Sequence, residues 1–307
     1  MEKNKDKLLR LKHERNAVIL AHYYQDPEIQ DIADFMGDSL ALAQVAKKTK
    51  ADVILFCGVH FMAETAKILN PNKIVLVPDL DAGCSLADSA PADEFRAWKE
   101  KYPDNCFVTY INCSAEVKAM SDIICTSSNS EKIIASIPED KNICFAPDKY
   151  LGRYIAKKTG RDMTIWDGSC QVHEIFSETE VINLSAKYPD AVILAHPECP
   201  DNILDYADFI GSTSAIIKEA VNNTAKQFII LTEPGVIHQM KKYAPDKEFI
   251  PVGSIAGCAC NECPYMRLNT IEKMIKALET LEPQIILRED LMRDALVPLE
   301  RMLELSK

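Results

Sequence analysis

Apolar residues in this chain fall into short unbroken runs rather than an alternating pattern. The runs occupy 17–21, 53–57, 74–77, 107–111, 123–125, 143–146, 163–166, 191–195, 209–210, 228–231 and 249–252. Continuous runs of this length suit strands buried on both faces, as in parallel sheets covered by helices. Helical spacing fills the gaps. Residues 32–48 carry Ala33, Met36, Leu40, Ala43 and Val45 at that spacing and predict a helix interrupted by Gly37-Asp38-Ser39. Shorter helices are predicted over 61–69 and 237–243, and two more over 87–103 and 176–189, both leaving through Tyr-Pro-Asp. Residues 1–15 read as an amphipathic helix with Leu8, Leu9 and Leu11 turned inward. Beyond Cys263, Asn269-x-x-Glu272 predicts a capping box. Helices then continue to Leu305, bent or broken near Pro283 and Pro298, and this tail is expected beside the N-terminal helix. Strands alternating with helices predict an α/β architecture with parallel sheets.

The runs also repeat. Val18-Ile19-Leu20-Ala21-His22 returns as Val192-Ile193-Leu194-Ala195-His196, with a weaker copy at Val108-Thr109-Tyr110-Ile111-Asn112. Each copy is followed by a hydroxyl cluster: Gly37-Asp38-Ser39, Thr126-Ser127-Ser128 and Gly211-Ser212-Thr213. Each ends in a Gly/Cys signal: Ala82-Gly83-Cys84, Gly168-Ser169-Cys170 and Ala256-Gly257-Cys258-Ala259-Cys260. A period of about 85 to 90 residues is too long for a solenoid unit and right for a small α/β domain. We therefore expect three similar α/β/α sandwich domains in a pseudo-threefold arrangement: 1–90 completed by helices in 265–307, 91–175, and 176–264. Functional residues should lie just past the carboxyl ends of the strands. His22, Asn112, His196, Cys84, Cys170 and the 258–263 cluster occupy such positions.

Composition narrows the function. The chain has 307 residues, is 47% hydrophobic and 26% charged, and carries a net charge of −11. That charge argues against nonspecific nucleic-acid binding. No apolar run approaches the ~18 residues of a membrane span, and the first fifteen residues lack the apolar core of a signal peptide. A cytoplasmic protein is expected. Eleven cysteines in such a compartment point to metal binding, catalysis or burial rather than disulfides. Cys57, Cys106, Cys125 and Cys144 sit in or beside strand runs, where cysteine acts as a small hydrophobe.

The remaining cysteines carry the chemistry. One per repeat, at Cys84, at Cys170 and in Cys258-Ala-Cys260-Asn-Glu-Cys263, suits a three-thiolate site. On a four-iron cluster such a site leaves one iron without a protein ligand, able to act as a Lewis acid. The repeat itself pairs Cys258 with Cys84, so spacing leaves the third ligand open. A zinc-dependent lyase, or a binding protein with structural zinc, also remains open. Three histidines, His22, His173 and His196, follow strands in the three repeats. The hydroxyl turns at Ser39, Ser127 and Ser212-Thr213 suit anion binding at helix N-termini.

Taken together, these residues resemble the bacterial quinolinate synthase family of de novo NAD biosynthesis. The matching motifs are Ala21-His22-Tyr23-Tyr24-Gln25, Gly37-Asp38-Ser39, Gly83-Cys84-Ser85, Thr109-Tyr110-Ile111-Asn112, Cys125-Thr126-Ser127-Ser128-Asn129, Ile165-Trp166-Asp167-Gly168-x-Cys170-x-Val172-His173, His196-Pro197-Glu198-Cys199, Gly211-Ser212-Thr213 and Cys263-Pro264-Tyr265-Met266. They run in order along almost the whole chain. The resemblance implies a central 4Fe–4S cluster held by Cys84, Cys170 and Cys263, the last because the family's ligand precedes Pro-aromatic-Met. The C-x-C-x-x-C spacing here departs from the C-x-x-C-x-x-C of many relatives. The implied reaction condenses iminoaspartate with dihydroxyacetone phosphate to quinolinate, with functional coupling to L-aspartate oxidase. It implies His22, Tyr24, Tyr110 and Glu198 as catalytic residues. Ser39, Asn112, Ser127, His173, His196, Ser212 and Thr213 would join His22, Tyr110 and Glu198 in binding substrate.

Overall fold

The computed structural model describes residues 2–253 and 261–307. Twelve strands are present among them: β1 Ala17–His22, β2 Phe35–Gly37, β3 Val53–Cys57, β4 Ile74–Leu76, β5 Cys106–Tyr110, β6 Ile123–Cys125, β7 Ile143–Ala146, β8 Met163–Ile165, β9 Val192–Ala195, β10 Phe209–Ile210, β11 Gln227–Leu231 and β12 Glu248–Pro251. They form three four-stranded parallel sheets of one topology, β2-β1-β3-β4, β6-β5-β7-β8 and β10-β9-β11-β12. The expected α/β architecture of three similar units is thus present. In each unit the first strand is central, the second lies at the edge, and the third leads toward the other edge.

A side-chain contact repeats with the topology. The N–H groups of Ile19, Phe107 and Ile193 donate to the carboxylates of Asp34, Asp122 and Asp208 at 2.9, 2.8 and 2.8 Å. Each aspartate's own N–H returns to the carbonyl of the same strand residue at 3.0 Å. The aspartate stands just before the edge strand and fixes its register on the central one. This is a fourth copy-by-copy signal in the sequence, beside the apolar runs, the hydroxyl clusters and the Gly/Cys ends.

Three details differ from expectation. Residues 32–48 do not form one interrupted helix: Phe35–Gly37 is an edge strand, and the helix runs only over Ser39–Lys48, capped by Asp38 accepting from the Ala41 N–H at 3.0 Å. Three residues on a half-exposed edge give too little apolar signal to read as a strand. In the N-terminal helix Glu2–Glu14, Leu8 and Leu11 are buried but Leu9 is 37% exposed, because it lies off the stripe facing the first sheet. In the tail, the cap of helix Ile271–Thr280 is Thr270, not Asn269. Asn269 is buried and donates to the Gly58 carbonyl at 2.8 Å.

The tail serves two units. Helix Ile271–Thr280 packs on helix Glu2–Glu14 and β3 of the first unit. Helix Glu289–Leu305, with Pro298 inside it, lies mainly against helix Ala115–Met120 and β6 of the second. One apolar core consequently runs through both units, joining Ile54 and Phe56 to Val108 and Phe145 by way of Leu299 and Met302. The third unit has two small cores of its own, one on each face of its sheet.

Candidate active site

The carboxyl ends of the three sheets face one cavity of about 730 Å³, its mouth to solvent included. The three central strands deliver equivalent residues to it: His22 at the end of β1 and Tyr24 after it, Tyr110 at the end of β5 and Asn112 after it, and His196 and Glu198 after β9. In the first and third units the loop turns the same way. The N–H of Tyr24 donates to His22 Nδ1 at 3.2 Å, and that of Glu198 to His196 Nδ1 at 3.4 Å. An Nδ1 that accepts leaves the ring proton on Nε2. Burial pushes the His22 pKa down to about 4 and that of His196 to about 3, against the pull of nearby Asp38 and Glu198. Both rings are therefore neutral N–H donors at ordinary pH. His196 Nε2 lies 3.3 Å from Ser127 Oγ.

Glu198 is the electrostatic centre. It is 3% exposed. Burial alone would raise its pKa, but the imidazoles of His173 and His196 and hydrogen bonds from His173 and Tyr110 outweigh burial and hold the carboxyl below its usual range. Tyr110 Oη donates to Glu198 Oε1 at 2.6 Å, and His173 Nδ1 lies 3.0 Å from Oε2. With Nδ1 facing the carboxylate, the other ring nitrogen of His173, Nε2, lies 3.0 Å from Thr232 Oγ1. Thr232 reaches Tyr24 Oη at 2.8 Å, and Tyr24 reaches Thr213 Oγ1 at 2.9 Å. Burial, together with Glu198, pushes both phenols well above the ordinary tyrosine pKa. A chain of hydroxyls and an imidazole thus leads from Thr213 through Tyr24, Thr232 and His173 to a carboxylate that also holds Tyr110.

Cys84, Cys170 and Cys263 line the same cavity. Burial pushes Cys84 up to about 12 and Cys263 up to about 11, and holds Cys170 well above the ordinary thiol value. The three sulfurs share one local environment. The backbone N–H groups two and three residues on, of Leu86 and Ala87, of Val172 and His173, and of Tyr265 and Met266, each favour the thiolate of their cysteine. Cys84 and Cys170 stand at the N-caps of one-turn helices, Ser85–Asp88 and Gln171–Glu174. Gly168 lets the second loop approach, since a Cβ there would lie 2.2 Å from Ser89 Oγ. Partly buried thiols facing N–H dipoles, with no lysine or arginine on the cavity wall among the described residues, fit a group that supplies positive charge. Cys170, His173 and Glu198 also bring ligand atoms within 4.8 Å of one another, an arrangement compatible with a metal site. Cys258 and Cys260 lie outside the described residues.

Residues 6–304 match the family described as Quinolinate synthetase A protein. Similar chains named quinolinate synthase include that of Nostoc punctiforme, 60% identical over 296 residues, covering 96% of this chain and 91% of that one. The Gloeothece citriformis chain is 61% identical over 297 residues, with 97% and 92% covered. That of Prochlorococcus marinus is 56% identical over 303 residues, with 99% and 91% covered. The chain belongs to the quinolinate synthetase A protein family. It is read as an enzyme on that ground, and the structural-zinc binding protein is set aside.

Within this family frame, His22, Tyr24, Ser39, Tyr110, Asn112, Ser127, His173, His196, Glu198 and Thr213 all line the cavity, with the three cysteines. Ser212 is the exception. Its hydroxyl caps helix Thr213–Asn222, accepting from the Ala215 N–H at 3.3 Å, and is thereby turned away from the cavity wall. The lysines near the motifs are occupied elsewhere: Lys118 lies buried over the Phe61 ring, and Lys149 pairs with Glu174 at 3.3 Å. Thr232 and Glu233, just past β11, were missed. Their signal was the end of a third strand, where functional residues are expected in parallel sheets. No described helix is long and apolar enough to cross a membrane.

Proposed function

We propose that this chain is a cytoplasmic quinolinate synthase that condenses iminoaspartate with dihydroxyacetone phosphate, releasing phosphate and water. Cys84, Cys170 and Cys263 would hold its 4Fe–4S cluster. The observation that carries this reading is the common setting of the three sulfurs, one from each of three loops, on the wall of the cavity that holds the Tyr110–Glu198 pair. Such a cluster, with three protein ligands, supplies an open iron that acts as a Lewis acid toward a substrate hydroxyl or carboxylate.

The chain's own residues supply proton transfer and anion binding. Glu198, held ionised, is the base that takes a proton from a substrate carbon. Tyr110 and Tyr24 stay protonated and are the acids, with Thr232 and His173 linking Tyr24 to Glu198. His22 and His196 offer Nε2–H groups to carboxylate or phosphate oxygens, joined by Ser39, Ser127 and Thr213. Asn112 Oδ1 is buried without a partner among the described residues, so it is available to accept from a substrate N–H. Neutral donors bind anions here without a basic patch, which suits a chain of net charge −11.

A zinc-dependent lyase has one observation in its favour, the Cys170, His173 and Glu198 group. Anaerobic purification with metal and sulfide counting separates the two. The cluster gives about four irons and as many sulfides per chain, whereas zinc without sulfide overturns it. Formation of quinolinate from the two substrates tests the reaction itself.

A further inference from the structure

We propose that Glu233 and Arg267 are positioning residues for Cys263, an ion pair that locks the third cysteine to the Tyr24 loop and so governs how firmly the metal centre is kept. The inference rests on the reading of Cys84, Cys170 and Cys263 as ligands.

Glu233 is fully buried just beyond β11. Its Oε1 accepts from Arg267 Nη2 at 2.6 Å and from the Cys263 N–H at 3.3 Å. Its Oε2 accepts from the Gly235 N–H at 2.7 Å. The other arm of the guanidinium reaches the first unit: Arg267 Nη1 donates to the Tyr24 carbonyl at 2.9 Å and to Asp26 Oδ1 at 3.0 Å. Arg267 also returns its own N–H to the Cys263 carbonyl at 3.3 Å. Cys263 is therefore held at its N–H by the carboxylate that the Arg267 guanidinium fixes, while its carbonyl is held by the Arg267 main chain alone. The fit is close, since a Cβ on Gly235 would lie 2.7 Å from Glu233 Oε2 and 3.0 Å from Tyr24 Cα.

Packing alone does not call for this arrangement. A buried ion pair is often replaceable by apolar residues of similar volume without loss of stability. What apolar residues cannot reproduce is direction. The planar guanidinium fork fixes two acceptors at once, here the carboxylate behind Cys263 and the carbonyl of Tyr24. Groups that orient a metal ligand typically change metal affinity 10- to 100-fold when removed.

The test uses the full-length chain, reconstituted anaerobically with iron and sulfide, and measures the rate of iron loss to a ferrous chelator without substrate. Glu233→Gln and Arg267→Lys are expected to lose iron roughly 10- to 100-fold faster. The double variant Glu233→Leu/Arg267→Met removes the polar groups of both partners. It should melt close to the unmutated chain and still lose iron faster by a similar factor. Recovery of iron retention together with the melting temperature would mean that the pair acts only through stability, and would overturn the proposal. If the double variant does not fold, Arg267→Lys decides, because it keeps the charge and loses the fork; unchanged iron loss there overturns the proposal as well. Should the unmutated chain hold no iron and sulfide, the cluster reading itself falls. Equal retention in all variants of a chain that does hold them sinks this inference alone.

Discussion

The first and second units are joined in a different way from the third. Helix Glu289–Leu305 carries Leu299 and Met302 into a core shared by the first two sheets, beside which the buried Glu64 accepts from the Ala115 N–H at 3.0 Å. The third unit meets its neighbours mostly through polar groups. Gln30 Nε2 donates to the Gly235 carbonyl, and Gln239 Nε2 to Gln30 Oε1, both at 2.9 Å. Arg267 bridges Tyr24 to Glu233, and Tyr110 reaches Glu198. Apolar burial is non-directional and makes a firm joint, while hydrogen bonds fix geometry. The molecule thus has a fused pair of units and a third one aligned on them by directed contacts, with the cavity at the junction.

The largest effect expected from breaking this arrangement comes where all three units meet. Cys170→Ser should abolish the cluster absorbance and quinolinate formation together, and so should Cys84→Ser or Cys263→Ser. A Cys263→Ser chain that keeps its cluster would remove the third unit from the metal site.

Next comes the shared core. Leu299 is fully buried, and Leu→Ala at such sites costs about 2–5 kcal/mol. Leu299→Ala should lower amide protection in the first and second sheets while leaving that of β9 and β11 near its original level. An equal loss in all three sheets would mean that the third unit is not separately stabilised.

Glu198→Gln and Tyr110→Phe cut the directed contact between the second and third units. Each should slow turnover by ~100-fold or more, the lower range for acid–base groups, with iron content unchanged. Near-normal rates in both would reduce the pair to alignment.

Acid should loosen the junction through His22. Its pKa is lowered by burial to about 4, so the unfolded chain binds more protons between there and the ordinary histidine value of about 6.5. Stability should therefore be full above that value and decline as pH falls through the window. His22→Asn should flatten this part of the stability-versus-pH curve in the metal-depleted chain. An unchanged slope would place the acid sensitivity elsewhere.

The smallest effect is expected at the rim of the same junction. Asp31 pairs with His238 at 3.0 Å and Lys242 at 3.3 Å, all partly exposed. Asp31→Asn should cost at most about 1 kcal/mol, as surface pairs do, measured by denaturant unfolding. A larger loss would show that the polar joint carries more of the third unit's stability than its exposed edge suggests.

The sequence by itself determined the units. Eleven strand positions, the repeated strand ends, and the cysteine in each of the first two repeats were legible because strand burial and turn chemistry are local. Each leaves its mark within a few residues. The resemblance names Cys263 as the third ligand of the proposed cluster, a choice that spacing leaves open. Only the tertiary structure decided which groups touch. β2 was hidden because its three residues pair along one side at a half-exposed edge. Leu9 and Asn269 were misread because the face a residue presents depends on what packs there. Ser212 stays off the cavity because its hydroxyl is used by its own helix. Thr232 and Glu233 carried no motif, and Arg267 only continued the Cys263-Pro264-Tyr265-Met266 match. Their partners, Tyr24, His173 and Cys263, lie 30 or more residues away in the chain for all but the closest pair, Arg267 and Cys263. Hydrogen bonds between such distant residues depend on how three sheets converge, and no local pattern encodes that.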